Sequence, residues 1–503
     1  MKRVLIVSVL LFCVPGFLSA RTRFGSQPAE SDSSLTWKSY SPSALQYDLD
    51  VLLKTSVDVH PYFYRAVDSV TFSREFMAVR NKLTTHMSRL EFYQLVAPLF
   101  SIFKNGHTSV AFPTQDWNSF INHGGRYFSY RIIYDNDNGM TVADSRDSSK
   151  VLPVGTKIIK INGYPADSLF NAFRRYRGGE RENWRNNIIS SSFSLYLWLN
   201  NITAPYEITY IEKSTDKEET LKTSGAVSSP VKESNSQISI NEAPYSYEIL
   251  PENIGLFNYK SMYSDKANPF GGFLKKLFTD LKGRSSRGLI IDLRKNGGGN
   301  TAYGIMLLNY LTDKPYKISS KKLWKSSAQM KSYIRNTLPW PMSWLTYRPF
   351  IWIAGMFRDE AKMFTANDGE VVELNFEEEK PVTDSLLFTG KVCFLIGSST
   401  FSSAMALANA VGDYKLATLI GEETGGIPNE YGEIYYFNLP KTGLQVLMPS
   451  ALFVRANGDS GDRRGILPDI EVKQKPEDTS NMKDTVLEAA KNWILQKQEE
   501  IKH

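Results

Sequence analysis

The segment GSSTFSSAMALANAVGDY, Gly397 to Tyr414, has the clearest chemical content in this chain. An apolar β-type run, Lys391 to Ile396, enters a short Ser/Thr/Phe turn and leaves it as an Ala-rich helical run, so a strand-to-helix junction falls near Ser402. Such a junction exposes a hydroxyl beside unpaired N–H groups and the positive end of a helix dipole, where an attacking oxygen and a developing oxyanion gain most. Ser402 or Ser403 as a plain helix cap is the competing reading, and it needs no chemistry. Upstream, DLRKNGGGN follows another apolar strand, and Gly297, Gly298 and Gly299 allow a turn closed to residues with a Cβ. Its N–H groups could face an oxyanion. A flexible turn would look alike, and the spacing of a phosphate-binding loop is absent.

A nucleophilic serine needs a base, and the chain has 5 histidines. His107, in KNGHTSV, stands out because Gly106 lets the backbone bend and Thr108 offers a nearby hydroxyl. A carboxylate would complete the set by fixing the imidazole tautomer. The run GDSGDRRGILPDIEV supplies Asp459, Asp462 and Asp469, and residue types alone do not choose among them. The histidines are dispersed and there are only 2 cysteines, so neither a metal site nor a cofactor is expected.

The elements that must position these groups can be read from periodicity. Apolar residues recur at helical spacing from Pro42 to Leu99, which predicts a helical N-terminal domain over 41–110. A β-rich stretch is expected from about Gly125 to Lys213; within it VLPVGTKIIKINGYPADSL predicts a strand, an Asn162-Gly163 turn and a helix start. That string resembles a PDZ-like module, assigned to 120–215, a kind of domain that binds extended peptides by strand addition. Residues 216–242 are polar and read as a linker. Beyond them NIGLFNYKSM, RGLIIDLR, KVCFLIG, ATLIGEE, EIYYFNLP and LQVLMPSALFV are strand candidates interleaved with helical runs, a layered α/β pattern over 243–475. An insertion, 313–385, interrupts it and holds Trp340, Trp344, Tyr347, Phe350 and Trp352. A lid, a subunit or membrane-surface contact through 338–357, or an ordinary satellite core would each use such residues. A C-terminal helix closes the chain over 476–503.

At 503 residues the chain exceeds one hydrophobic core, and its 22% charged and 42% apolar content is that of a globular protein. The net charge of +6 is scattered, so nucleic acid is not expected as a partner. Residues 1–20 pair Lys2 and Arg3 with an apolar run, Val4 to Val14, then Pro15-Gly16 and Ala20. They read as an export signal, followed by a polar, disordered linker over 21–40. The mature chain is expected in a periplasm, at a membrane, or secreted. A lipid on Cys13 is disfavoured by the bulky Phe12, and Cys393 is expected as an unpaired core residue.

Taken together, DLRKNGGG, STFSSAMALANAVGDY, LIGEETGG and GILPDIEV resemble the core of the C-terminal-processing and tricorn-like serine peptidases, a family that also includes repeats related to interphotoreceptor retinoid-binding protein. The resemblance implies a crotonase-like α/β sandwich as catalytic domain and cleavage of a peptide or protein substrate, with its C-terminal end as one candidate site. One branch of the family uses a lysine base in the loop after the next strand, but residues 416–440 contain no lysine. The histidine-type branch fits instead. It implies Ser402 as nucleophile, His107 as base and Asp462 as the acid, with an oxyanion hole from Gly297, Gly298 and Ser403. Two other readings remain: a catalytically silent peptide- or lipophile-binding protein on the same scaffold, and an esterase, which lacks the G-x-S-x-G elbow.

Overall fold

A computed structural model describes residues 38–145, 152–227, 243–337, 361–381, 385–461, 463–474 and 483–496, with isolated residues 343, 346, 347, 350, 351 and 478. The export signal, Cys13, the aromatic residues Trp340, Trp344 and Trp352, and Asp462 lie outside the described residues. Tyr347 and Phe350, from the same insertion, are exposed.

The centre is a mixed α/β layer. A 6-stranded sheet runs in the order Tyr245–Ile249, Ile254–Tyr259, Gly288–Asp292, Lys391–Ile396, Thr418–Gly421 and Ile470–Glu471. Its first pair is antiparallel and the rest are parallel. The continuous apolar strands follow from burial of both faces. Leu289, Ile291, Phe394 and Ile396 pack with the helices Phe270–Gly283, Thr301–Leu308 and Ser403–Asp413 on one side. Ile290, Cys393 and Leu395 alternate with them and meet Val486, Ala490 and Ile494 of the helix Thr485–Leu495 on the other. Cys393 is thus a buried free thiol.

A second, 5-stranded sheet has the order Val371–Asn375, Lys321–Lys325, Gln445–Val454, Tyr431–Asn438. Two of these strands come from 313–385, so that insertion is part of a sheet rather than only an addition to one. The short strand Ser109–Val110 also pairs with Gln445–Val454, Val110 opposite Val446 and Ser109 opposite Leu447. This pairing delivers the chain just after His107 to the second sheet.

The helical spacing of 42–99 is realised in Pro42–Val59, Ser69–Arg80 and Arg89–Ser101, the last opened by a Ser88/Glu91 capping box. A third sheet, Tyr130–Asp135, Gly139–Ser145, Lys157–Ile161, Tyr206–Glu212 and Lys217–Thr223, follows it. Asn162 and Gly163 both take positive φ, 49° and 80°, the backbone of a tight hairpin turn. Two expectations fail here. The helix start expected in GYPADSL is realised as Ala166–Phe173, but the β-rich stretch then stays largely helical to residue 199, because Leu169, Phe170 and Phe173, then Ile189, Phe193, Tyr196 and Leu197, recur at helical spacing and all are buried. Lys217–Thr223 is an edge strand rather than linker; its polar KEETLKT sequence suits a position with largely solvated side chains.

These helices and the third sheet share one apolar core, which also takes in Leu439, Leu444, Val446 and Met448 from the Tyr431–Asn438/Gln445–Val454 hairpin of the second sheet. A polar anchor reinforces the joint. Asp48 is fully buried and accepts from Lys441 N (2.9 Å), Thr442 N (2.8 Å) and Thr442 Oγ1 (2.7 Å). No described helix is long and apolar enough to cross a membrane. Asp48→Ala orphans these buried donors, each worth roughly 1–3 kcal/mol when left unpaired, so a total loss of about 3–5 kcal/mol is expected in urea unfolding. A loss below about 1 kcal/mol would refute the anchor.

Candidate active site

The site begins with a turn that no side-chain cap explains. Ser402 is the N-cap residue of Ser403–Asp413, yet its hydroxyl makes no capping bond to that helix. Its backbone sits at φ 53° and ψ −133°, a conformation costly for a residue with a Cβ, of order 1–3 kcal/mol. The surrounding bonds impose it. Thr400 N donates to Gly397 O (2.8 Å), Thr400 Oγ1 donates to Leu293 O (2.9 Å), and Phe401 N donates to Asn296 O (3.1 Å). The strand Lys391–Ile396 therefore cannot run on, and the chain must turn sharply before the helix.

Ser402 Oγ lies 3.0 Å from His107 Nε2. His107 is 6% exposed, its ring stacks on Phe401 at a centroid distance of 4.8 Å, and its backbone N–H donates to Asn105 Oδ1 (2.9 Å). Gly106 is required for space as well as bending: a Cβ there would stand 2.6 Å from Phe401 Cζ and 2.8 Å from Trp184 Cη2. Burial pushes the His107 pKa down to about 4, with the nearby Arg177 charge adding to the effect. A neutral ring can accept the serine proton at Nε2 while Nδ1 carries the hydrogen. Nδ1 is buried and makes no hydrogen bond among the described residues.

Of the three candidate acids, two are engaged elsewhere. Asp459 is exposed and accepts from Gly461 N (2.8 Å). Asp469 accepts from Leu419 N (2.7 Å) and so extends the edge of the parallel sheet. Asp462 lies outside the described residues.

The glycine turn packs directly on Ser402. Gly298 has φ 103°, and a Cβ there would come within 2.8 Å of Ser402 Cβ and 3.0 Å of Ser403 N. Gly299, at φ 139°, approaches Met262 O too closely for any side chain. Asn296 organises the turn: fully buried, it donates from Nδ2 to Tyr259 O (2.9 Å) and accepts Gly298 N–H at Oδ1 (2.9 Å). That bond corrects one expectation, since the Gly298 N–H is already engaged and cannot also face an oxyanion. Among the described residues the N–H groups of Gly297 and Ser403 have no such partner. Ser403 differs from Ser402 in role. Its hydroxyl donates to Gly299 O (2.8 Å) and meets Thr301 Oγ1 (3.0 Å), tying the glycine turn to the helix.

Sequence reasoning missed the outer residues of this site. Asn105, Asn296, Phe401 and Trp184 shape it, and Asn187 Nδ2 donates to Ser398 Oγ (2.6 Å) and Ser399 Oγ (3.1 Å). The glycine pair Gly178-Gly179 was the available signal. A Cβ at Gly178 would meet Asn105 O at 2.8 Å, and one at Gly179 would meet Trp184 at 2.7 Å.

Residues 253–472 match the profile of Peptidase family S41. No curated protein matches the chain. Among solved structures, mature CPAF complexed with lactacystin is similar at a TM-score of 0.64 and 16% identity, over 90% of this chain and 98% of that one. A crystal structure of mature CPAF gives 0.61 at 16% identity, over 90% and 97%. At that identity the likeness is one of fold.

Gly298→Ala should slow the reaction of Ser402 with a fluorophosphonate about a hundredfold, since a displacement near 1 Å is enough for that. Labelling at the parental rate would show that the turn is not tightly fitted. The low pKa of His107 also has a sign. Between about pH 4 and 6.5 the unfolded chain binds a proton there that the folded chain does not, so this contribution is whole above pH 6.5 and is lost as pH falls toward 4. His107→Gln should reduce the stability lost between pH 7 and 4.5 by about 2 kcal/mol, measured by urea unfolding. An unchanged pH dependence would contradict the shift.

Proposed function

Because residues 253–472 make this chain a member of peptidase family S41, a serine-type peptidase acting on peptides or proteins, we propose that it cleaves them through an acyl-enzyme with Ser402, His107 and Asp462 as its triad. The observation that carries the reading is the 3.0 Å contact between Ser402 Oγ and a buried His107 Nε2, made from a strained turn that frees the hydroxyl from capping. Ser402 Oγ attacks the scissile carbonyl while His107 takes its proton. The ring returns that proton to the leaving amine, and water then hydrolyses the ester by the same route reversed. The positive end of the helix Ser403–Asp413 and the N–H groups of Gly297 and Ser403 stabilise the oxyanion, each donor worth roughly 3–4 kcal/mol. Asp462 orients the ring at Nδ1; the engagement of Asp459 and Asp469 elsewhere supports it over those two.

The finer architecture belongs to the same proposal. The parallel sheet between helices is read as a crotonase-like core, and the sheet around the Asn162-Gly163 turn, with the helix Ala166–Phe173, as a PDZ-like module that receives an extended peptide. Export rests on the basic and apolar pattern of residues 1–20, with a periplasmic or membrane-associated site favoured and secretion as the alternative.

Ser402→Ala should abolish both fluorophosphonate labelling and peptide hydrolysis, whereas Ser403→Ala should retain labelling at position 402, mapped by mass spectrometry. A label on Ser403 would move the nucleophile. A folded wild-type protein that neither labels nor hydrolyses peptides would favour the silent binding protein.

A further inference from the structure

The segment Arg177–Asn187 lies outside the region matched to the family, yet it touches the loops around the reacting groups. Trp184 stacks on Phe401 at 4.4 Å, Arg181 pairs with Glu423, and Asn187 holds Ser398 and Ser399. Within it, Glu180 turns toward the histidine loop. Asn105 Nδ2 donates to Glu180 Oε1 at 2.7 Å and Gly106 N donates to Glu180 Oε2 at 3.1 Å. Asn105 in turn uses Oδ1 to accept His107 N–H at 2.9 Å and Thr108 Oγ1–H at 3.1 Å. One carboxylate thus grips the two residues before the histidine, and the same amide that it grips holds the histidine backbone.

We propose that Glu180 is a positioning residue for His107: through Asn105 and Gly106 its carboxylate fixes the loop that keeps Nε2 in reach of Ser402 Oγ. The inference rests on the acyl-transfer reading given above. The chemistry explains the residue type. Two donors converge on two oxygens, and only a carboxylate offers acceptors at both; a glutamine would set an NH2 group against one of the donors. Bonds to an ionised acceptor are also stronger than neutral ones. The loop has little other freedom, because Gly106 is confined by Phe401 and Trp184, and Gly178 lies against Asn105 O. Arg177 favours the ionised form of Glu180, while Glu430, itself pushed well above the usual carboxylate range by burial, is raised further by the Glu180 charge. Burial pushes the Glu180 pKa up to about 7, against the pull of Gly106, Asn105 and Arg177. The grip is therefore made by a carboxylate whose ionisation falls near neutrality.

The test uses the full chain and one probe, a fluorophosphonate, with the second-order rate of labelling at Ser402 followed by mass spectrometry. Glu180→Gln removes one acceptor, and Asn105→Asp removes the donor toward Glu180 while keeping an oxygen for His107 N–H and Thr108. Both should label Ser402 to completion, but 10- to 100-fold more slowly than wild type. For Asn105→Asp the deficit should grow as pH rises above about 7, where Glu180 and the introduced carboxylate face each other with no proton between them, and shrink below it, where one shared proton restores the bond; a change in folding alone would not give that pH profile. Rates within twofold of wild type in both variants, at an unchanged melting temperature, would overturn the positioning role and leave the triad standing. If Glu180→Gln does not melt cooperatively, Asn105→Asp decides alone. A folded wild-type protein that does not label at Ser402 would overturn the triad and this role with it.

Discussion

The site depends on a backbone held where a serine does not rest by itself. At φ 53° Ser402 resists its own Cβ, and the opposing force comes from hydrogen bonds that join the 397–401 loop to the 293–298 turn. Asn296 is the pivot of that joint, since its side chain fixes the glycine turn while its carbonyl fixes Phe401. Gly298 then fills the space behind Ser402 with backbone alone. The strain and its restraint are one arrangement: a free hydroxyl on a rigid support, with a helix N-terminus behind it. A relaxed serine here would cap its helix, and its oxygen would be unavailable.

Bringing His107 to that hydroxyl is a separate problem, because it comes from the other core. The strand Ser109–Val110 pairs with Gln445–Val454, and the shared apolar cluster with Leu439, Leu444, Val446 and Met448 makes the N-terminal helices and the catalytic hairpin inseparable. Burial then has an electrostatic consequence. The ring is kept neutral down to about pH 4, so under the proposed mechanism it is ready to accept a proton, and the imidazolium so formed would need compensating charge. Carboxylates near the site therefore matter more than their count suggests, because in a buried setting each charge is poorly screened.

What the sequence made legible follows its periodicities. The strands Ile254–Tyr259, Gly288–Asp292, Lys391–Ile396 and Gln445–Val454 fall where apolar runs predict them, because buried parallel strands must be apolar on both faces. The junction at Ser402 could be read for the same reason, as the point where one period gives way to another. The helices Glu182–Ser191 and Phe193–Leu199 were harder: they sit between strands of the same module and carry enough aromatic residues to read as β. Lys217–Thr223 was invisible because an edge strand with solvated side chains has no apolar alternation to display. The distance between Ser402 and His107 was beyond any local pattern, since it is set by a sheet pairing between segments far apart in the chain.

The residues missed altogether share one property, that their meaning lies in who approaches them. Asn105 and Asn296 are small polar residues in loops, indistinguishable by type from any turn-forming asparagine. Only packing shows that the Asn296 amide joins Tyr259 O to Gly298 N–H and that the Asn105 amide joins the Glu180 carboxylate to the His107 backbone N–H. The glycines are different. Gly106, Gly178 and Gly298 are each excluded from carrying a Cβ by an atom of another loop rather than by a turn alone. Gly106 and Gly178 record the same approach from its two sides, the histidine loop meeting the segment that carries Glu180 and Trp184. Close backbone contact of this kind leaves no room for loops to adjust independently. A change in the Arg177–Asn187 segment is therefore transmitted to His107 as displacement rather than absorbed as local slack.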